Sequence, residues 1–151
     1  MTKSDIWIFG EVLFDTFPDG TAVLGGAPFN VAWHLNAFQA SPRIITAVGD
    51  DAQGRMILER MDSWRMHREH LAVVPGCPTG KVTVRLTNDE PSYTIEEDQA
   101  YDNIPLEILP ERTDGYLYFG SLALRTARNC AVLSELKKRH QGKLFVDINI
   151  R

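Results

Sequence analysis

A chain of 151 residues, 44% hydrophobic and 24% charged, has the composition of one globular domain with a real core, neither disordered nor membrane-like. Sixteen Lys and Arg against twenty Asp and Glu leave a formal charge of -4, which gives no pull toward nucleic acid or an anionic membrane and suits a small neutral ligand. The longest nearly apolar stretch, residues 116–124, is broken by Gly120 and Ser121 and is too short to cross a bilayer.

The first element is Ile6-Trp7-Ile8-Phe9, an apolar run stopped by Gly10 that reads as a buried strand. The apolar run 12–14 follows, then Asp15 in what reads as a loop. In open α/β sheets the ligand crevice lies beyond the carboxyl ends of the strands, so an acid there is placed to accept hydrogen bonds from ligand hydroxyls. A turn or cap role accounts for the same aspartate. Gly25-Gly26-Ala27-Pro28-Phe29-Asn30 then leads into a helix, with Pro28 suited to its first position and the glycines allowing backbone to approach a bound group. A helix start presents free N–H donors, and the Asn30 amide donates and accepts together, as reading a hydroxyl requires. A tight turn before a helix explains these residues equally well. Val31, Leu35 and Phe38 recur at i, i+4 and i+7 as the apolar stripe of that first helix.

Residues 43–48 predict a second buried strand, and Ile57, Met61 and Trp64 a second helix. Gly76-Cys77-Pro78-Thr79-Gly80-Lys81-Val82 has the look of a phosphate loop, but one spacer is missing and Val82 stands where a hydroxyl must hold magnesium, so that reading is rejected. In residues 80–87, Val82, Val84 and Leu86 alternate with polar side chains. Turn chemistry at 88–91 is followed by renewed alternation through Tyr93 and Ile95. This predicts an antiparallel hairpin projecting from a parallel sheet, and a projecting hairpin beside a ligand site acts as a lid. Glu96, Glu97 and Asp98 read as a solvated charge run.

Residues 116–119 and 144–148 predict two more buried strands, with Val132, Leu133 and Leu136 marking a third helix between them. Buried strands alternating with amphipathic helices imply an α/β fold with a largely parallel sheet covered on both faces, in one continuous unit. His34, His67, His70 and His140 show no zinc spacing with Cys77 and Cys130, and no metal site is expected. Free thiols and the absence of an apolar signal region behind Lys3 predict a cytoplasmic protein.

Seven segments carry a resemblance in their correct order: residues 9–15, 25–32 and 48–54, then Thr79-Gly80-Lys81-Val82, Ala100-Tyr101-Asp102-Asn103-Ile104, Phe119-Gly120-Ser121-Leu122 and Asp147-Ile148-Asn149-Ile150-Arg151. Together they resemble the N-terminal half of the PfkB (ribokinase-like) carbohydrate kinases, closest to the fructokinase-like branch. Gln53, where an aromatic is usual, and Ala40-Ser41, in place of a glycine, depart from that pattern.

The resemblance implies a three-layer α/β/α fold, incomplete, with a small antiparallel β-lid built from about 11–25 and 79–100. It implies that Asp15 and Asn30 bind sugar hydroxyls, that Gly25 and Gly26 bring backbone against the sugar, and that the lid closes over it and pairs with its twin in a homodimer. Tyr93 and Tyr101 are implied ring contacts, and Arg151 a contact to substrate or phosphate. The implied activity is ATP-dependent phosphorylation of fructose or a related ketose, with Mg²⁺. The aspartate that takes the sugar proton and most of the ATP and magnesium site lie in the family's C-terminal half, so the chain alone is expected to be inactive. Two alternatives stand beside this reading: a non-catalytic sugar-binding or regulatory protein, and a dinucleotide-binding oxidoreductase, which lacks its G-x-G-x-x-G after the first strand.

Overall fold

The computed structural model describes residues 5–87 and 90–148. Strand β1 (Ile6–Phe9) lies at the centre of a five-stranded sheet, between β4 (Arg43–Gly49) and β8 (Tyr116–Gly120), with β5 (Leu71–Val74) and β9 (Lys143–Asp147) at the two edges. Every pairing in it is parallel. Successive strand residues face opposite ways, so Ile8, Ile44 and Val48 form one core with Phe29, Ala32, Ile57 and Met61 from helices α1 (Ala27–Ala37) and α2 (Ala52–Ser63). Phe9, Ile45 and Leu117 face the other way and form a second core with Val132, Leu133 and Leu136 of α3 (Ala127–Arg139). Sheet covered by helices on both faces is the three-layer α/β/α arrangement expected from the sequence. Ile8, Phe9, Ile45 and Leu117 are fully buried, and each side chain of this kind contributes about 1.5–3 kcal/mol.

A second, four-stranded sheet has the order β3-β2-β6-β7, formed by β2 (Leu13–Thr16), β3 (Ala22–Gly25), β6 (Gly80–Thr87) and β7 (Glu90–Ile95). The expected hairpin is present, since β6 and β7 pair antiparallel from Val82 opposite Ile95 onward. The sheet as a whole is mixed rather than antiparallel. β2 and β3 pair antiparallel, but β2 and β6 run parallel because both leave the main sheet in the same direction, one after β1 and one after β5. Asp15 therefore sits in a strand and not in a loop.

Two further expectations are corrected and one strand is added. Val31 and Leu35 of the expected α1 stripe do pack against the core beside the more deeply buried Pro28, Phe29 and Ala32, but Phe38 falls on the C-cap and is 81% exposed. The last strand was read as buried, yet Leu144, Phe145 and Val146 are exposed because β9 is a sheet edge. Residues 71–74, not singled out in the sequence, form the opposite edge.

Beneath the second sheet lies a 3₁₀ turn, Ala100–Asn103, held by polar contacts. Asn129 of α3 donates to the carbonyls of Tyr101 and Ala123 and accepts from the Ile104 amide, at 2.7, 2.8 and 3.1 Å. Asp102 receives a forked pair of hydrogen bonds from Arg125, 2.8 and 2.6 Å. A bidentate guanidinium suits a carboxylate that is 2% exposed, because both its oxygens are answered at once.

Candidate functional site

The helix start and the strand ends meet at the carboxyl edge of the main sheet. A Cβ on Gly10, the residue after β1, would stand 2.4 Å from Pro28 Cγ, and one on Gly120, at the end of β8, 3.3 Å from it. Pro28 at the second position of α1 thus packs directly on the ends of two parallel strands. Gly26 is the N-cap, with φ 102°, ψ 126° and no side-chain cap, and a Cβ there would lie 2.7 Å from the Glu11 carbonyl oxygen. Only glycine tolerates both that backbone region and that approach. The first turn of α1 consequently opens toward the sheet edge with no side chain capping it, which leaves backbone donors for a ligand.

Asp15 lies across β2 from this turn. Its Oδ2 is 3.1 Å from the position a Cβ on Gly25 would take, so the missing side chain of Gly25 is the space that the carboxylate uses. Asp15 is half-buried, and Gly25 is two residues from the start of α1. Asn30, one turn into α1, is exposed, and its backbone N–H donates to the Gly26 carbonyl at 2.8 Å. The Asp15 carboxylate and the two glycines therefore stand at one strand-to-helix turn beside the carboxyl edge of the main sheet, and Asn30 lies on the first turn of the helix that follows.

The strand register extends this surface. Asp15 stands opposite Val23 on one side and Val82 on the other, and Val82 stands opposite Ile95. Tyr93, two residues before Ile95 and opposite Val84, shares the face of Asp15 and is 56% exposed. Tyr101 does not sit where a lid contact was expected. It belongs to the 3₁₀ turn beneath the second sheet, is fully buried, and lies beneath the Arg125 guanidinium at 5.3 Å. Burial pushes its phenol well above the ordinary range, so the ring serves as core. Arg151 and Asn149 lie outside the described residues. Asp147 accepts a hydrogen bond from the Tyr118 hydroxyl, 2.9 Å, which ties β9 to β8.

A cleft of about 310 Å³ opens mainly on the other face of β2, lined by Phe14, Leu24, Phe29 and Trp64, with Val23, opposite Asp15, also on its border. Sequence reasoning gave no role to Asp51, Thr79 and Asp102, although all three lie in segments carrying the resemblance, and did not single out Arg125. Asp51 had a readable signal, an aspartate three residues before Gly54 at a helix start. The Asp102–Arg125 partnership joins residues far apart in the chain and had none.

The pattern of the pfkB family carbohydrate kinases matches residues 7–151. The chain belongs to that family. It is 28% identical to a fructokinase of Klebsiella pneumoniae, an alignment covering 97% of this chain and 51% of that protein. The crystal structure of the fructokinase of Vibrio cholerae O395 in apo form superposes with a TM-score of 0.83 at 27% identity, covering 99% of this chain and 55% of that one. A sugar kinase of Pyrococcus horikoshii in complex with ATP gives 0.85 at 25%, covering 97% and 53%. This pfkB chain spans about half the length of the relatives it matches, and its fold is that of ribokinase-like kinases. Membership removes the oxidoreductase alternative.

The family implies ATP and a metal, and among the described residues of this pfkB chain no three His, Cys, Asp or Glu side chains group to hold a cation. The amide and hydroxyl of Thr79, in the segment resembling a phosphate loop, are both committed to Asp51. Among the described residues no helix is long and apolar enough to cross a membrane.

Proposed function

We propose that this chain supplies the sugar-binding side of a cytoplasmic, ATP-dependent, Mg²⁺-requiring kinase that phosphorylates a hydroxyl of fructose or a related ketose. The observation that carries the reading is the placement of Asp15 against Gly25, two residues from the uncapped start of α1 and at the carboxyl edge of a parallel sheet. There the Asp15 carboxylate accepts from two neighbouring sugar hydroxyls, the Asn30 amide reads a third, and Gly25 and Gly26 let the ring lie against backbone. Tyr93 contributes an aromatic wall from the β2–β3–β6–β7 sheet, which acts as the lid and offers the surface for a homodimer. Arg151 is assigned a contact to substrate or phosphate from the family resemblance alone.

Family membership and the fructokinase relatives support the sugar class, and the ATP-bound relative supports the phosphoryl donor. Phosphoryl transfer depends on charge stabilisation around the moving group, so sugar contacts without a base, metal or anion hole give no useful rate. The chain alone therefore binds sugar without turning it over.

Fructose titrated into the chain tests this. Asp15→Ala should weaken binding about 10- to 100-fold, the loss of charge-assisted hydrogen bonds, and Asn30→Ala should weaken it less. Incubation with ATP, Mg²⁺ and fructose should yield no sugar phosphate. Fructose affinity unchanged by Asp15→Ala refutes the assigned role, and turnover by the isolated chain refutes the division of labour.

A further inference from the structure

Asp51 makes more bonds than a helix cap needs. Its Oδ1 accepts from the Gly54 amide at 2.7 Å, which caps α2 in the ordinary way. The same oxygen accepts from the Thr79 hydroxyl at 2.7 Å, and Oδ2 accepts from the Thr79 amide at 2.8 Å. The Thr79 hydroxyl in turn accepts from the Gly49 amide at 2.9 Å, at the end of β4. One carboxylate thus joins the end of a central strand, the start of a helix and a residue 28 positions later. Close packing reinforces the joint: a Cβ on Gly54 would lie 2.1 Å from the Gly49 carbonyl oxygen and 3.0 Å from Thr79 Oγ1.

Thr79 directly precedes Gly80, the first residue of β6. Gly80 stands opposite Leu13, and a Cβ on it would meet the Val12 carbonyl at 2.6 Å and Leu13 Cβ at 2.8 Å. Two residues further along the same register, Val82 stands opposite Asp15. The other root of the hairpin is fixed as well, by the Ala100 amide donating to the Pro78 carbonyl at 2.8 Å and by Arg125 donating to the Glu96 carbonyl. A shift at Thr79 has no slack at Gly80 to absorb it, so it passes into β6 and across the register to Asp15.

We propose that Asp51 is a positioning residue: through Thr79 it anchors the root of the lid sheet and thereby sets where the Asp15 carboxylate stands. The role rests on the sugar-binding reading of Asp15 for its consequence, but the anchor is a property of the fold and is testable without sugar.

Asp51→Asn separates anchoring from capping. Asparagine caps a helix as well as aspartate, but the amide nitrogen it places where Oδ2 was confronts the Thr79 N–H donor to donor. Thr79→Val removes the hydroxyl while keeping the shape, and Thr79→Ser keeps the hydroxyl. Amide hydrogen exchange of the 151-residue chain reads the result. In Asp51→Asn and Thr79→Val the amides of β6 and β2 should exchange about tenfold faster, those of β1, β8 and β4 before Gly49 should be unchanged, and the first turn of α2 should stay protected. Thr79→Ser should behave as the wild type. Fructose affinity should fall about tenfold in the first two variants and recover in the serine variant. Unchanged exchange in β6 and β2, or an equal rise across both sheets, overturns the anchor. Absence of fructose binding by the wild-type chain counts against the sugar reading alone, and the exchange result still decides the anchor.

Discussion

Asp102 is 2% exposed, and Arg125 supplies a fork of charged donors to its two oxygens. A buried pair of this kind adds little net stability over apolar residues, but breaking it leaves a buried carboxylate without its cation, answered by the Gln99 amide at 2.9 Å. Arg125→Ala should therefore cost about 3–5 kcal/mol, read as a shift in the urea midpoint. Arg125→Lys should recover only part of that, because an ammonium is a point charge and not a fork. Asp51 adds a pH dependence. Burial raises its pKa, but hydrogen bonds from the Thr79 amide, the Gly54 amide and the Thr79 hydroxyl outweigh burial and hold it below the usual carboxylate range. A pKa lower in the folded state stabilises above the unfolded value of about 3.9 and loses that contribution as pH falls through the folded value. The stability gap between wild type and Asp51→Asn should be full at pH 7 and close as the pH is lowered below that unfolded value, measured by urea unfolding across pH.

At the scale of elements, α1 and α2 end alike. After α1 the Gln39 amide donates to the Asn36 carbonyl and the Ala40 amide to that of Leu35. After α2 the Arg65 amide donates to Asp62 and the Met66 amide to Met61. These are Schellman ends, whose first residue past the cap takes left-handed backbone, here Gln39 at φ 59° and Arg65 at φ 54°. Glycine is the usual occupant. Arg65 is exposed and Met66 already packs in the core with Met61, so Arg65→Gly should stabilise the chain by about 1 kcal/mol, seen as a higher thermal midpoint. The same ending explains what the sequence did not disclose about α1: periodicity extended the stripe to Phe38, but the helix turns off at that residue. Ser41, in the place where the family usually has glycine, also takes left-handed backbone at φ 57°. The parallel strands 6–9, 43–48 and 116–119 and the hairpin at 80–95 were legible because burial on both faces or on one face writes its own period. β2 and β3 were not, since four-residue strands are too short to show one. Motif order pointed to Asp15, Gly25, Gly26 and Asn30, of which the structure sets Asp15 against Gly25 beside the start of α1, whereas Asp51, Thr79 and Arg125 act through contacts of long sequence separation that no local pattern encodes.

At the scale of the whole molecule, the two edges of the main sheet differ. β5 is four residues long, with Ala72 buried and the 3₁₀ turn Ala100–Asn103 packed in the same core. β9 presents Leu144, Phe145 and Val146 at 44%, 52% and 54% exposure, followed by Ile148 at 69%. Leu144 and Val146 lie on the face of Leu117 and Phe119, which α3 covers, but the outer strand extends past that cover. Phe145 lies on the opposite face, against Tyr116 at 5.7 Å between ring centres. Apolar side chains on both faces of an edge strand, with its outward N–H and C=O groups free to pair, form a template for another copy of the strand. The devices that blunt an edge are missing over residues 144–146: there is no proline, no bulge and no charge, and Asp147 is committed to Tyr118. The 151-residue chain on its own should therefore self-associate as its concentration rises, in sedimentation velocity. Val146→Lys places a charge in the middle of the exposed run without touching Asp15, Asn30 or the lid, so it should shift the chain toward monomer while fructose affinity is retained. A wild-type chain that sediments as a compact, stable monomer at all concentrations would show that β9 is not an adhesive edge, and a Val146→Lys variant that associates as strongly as wild type would place the contact elsewhere.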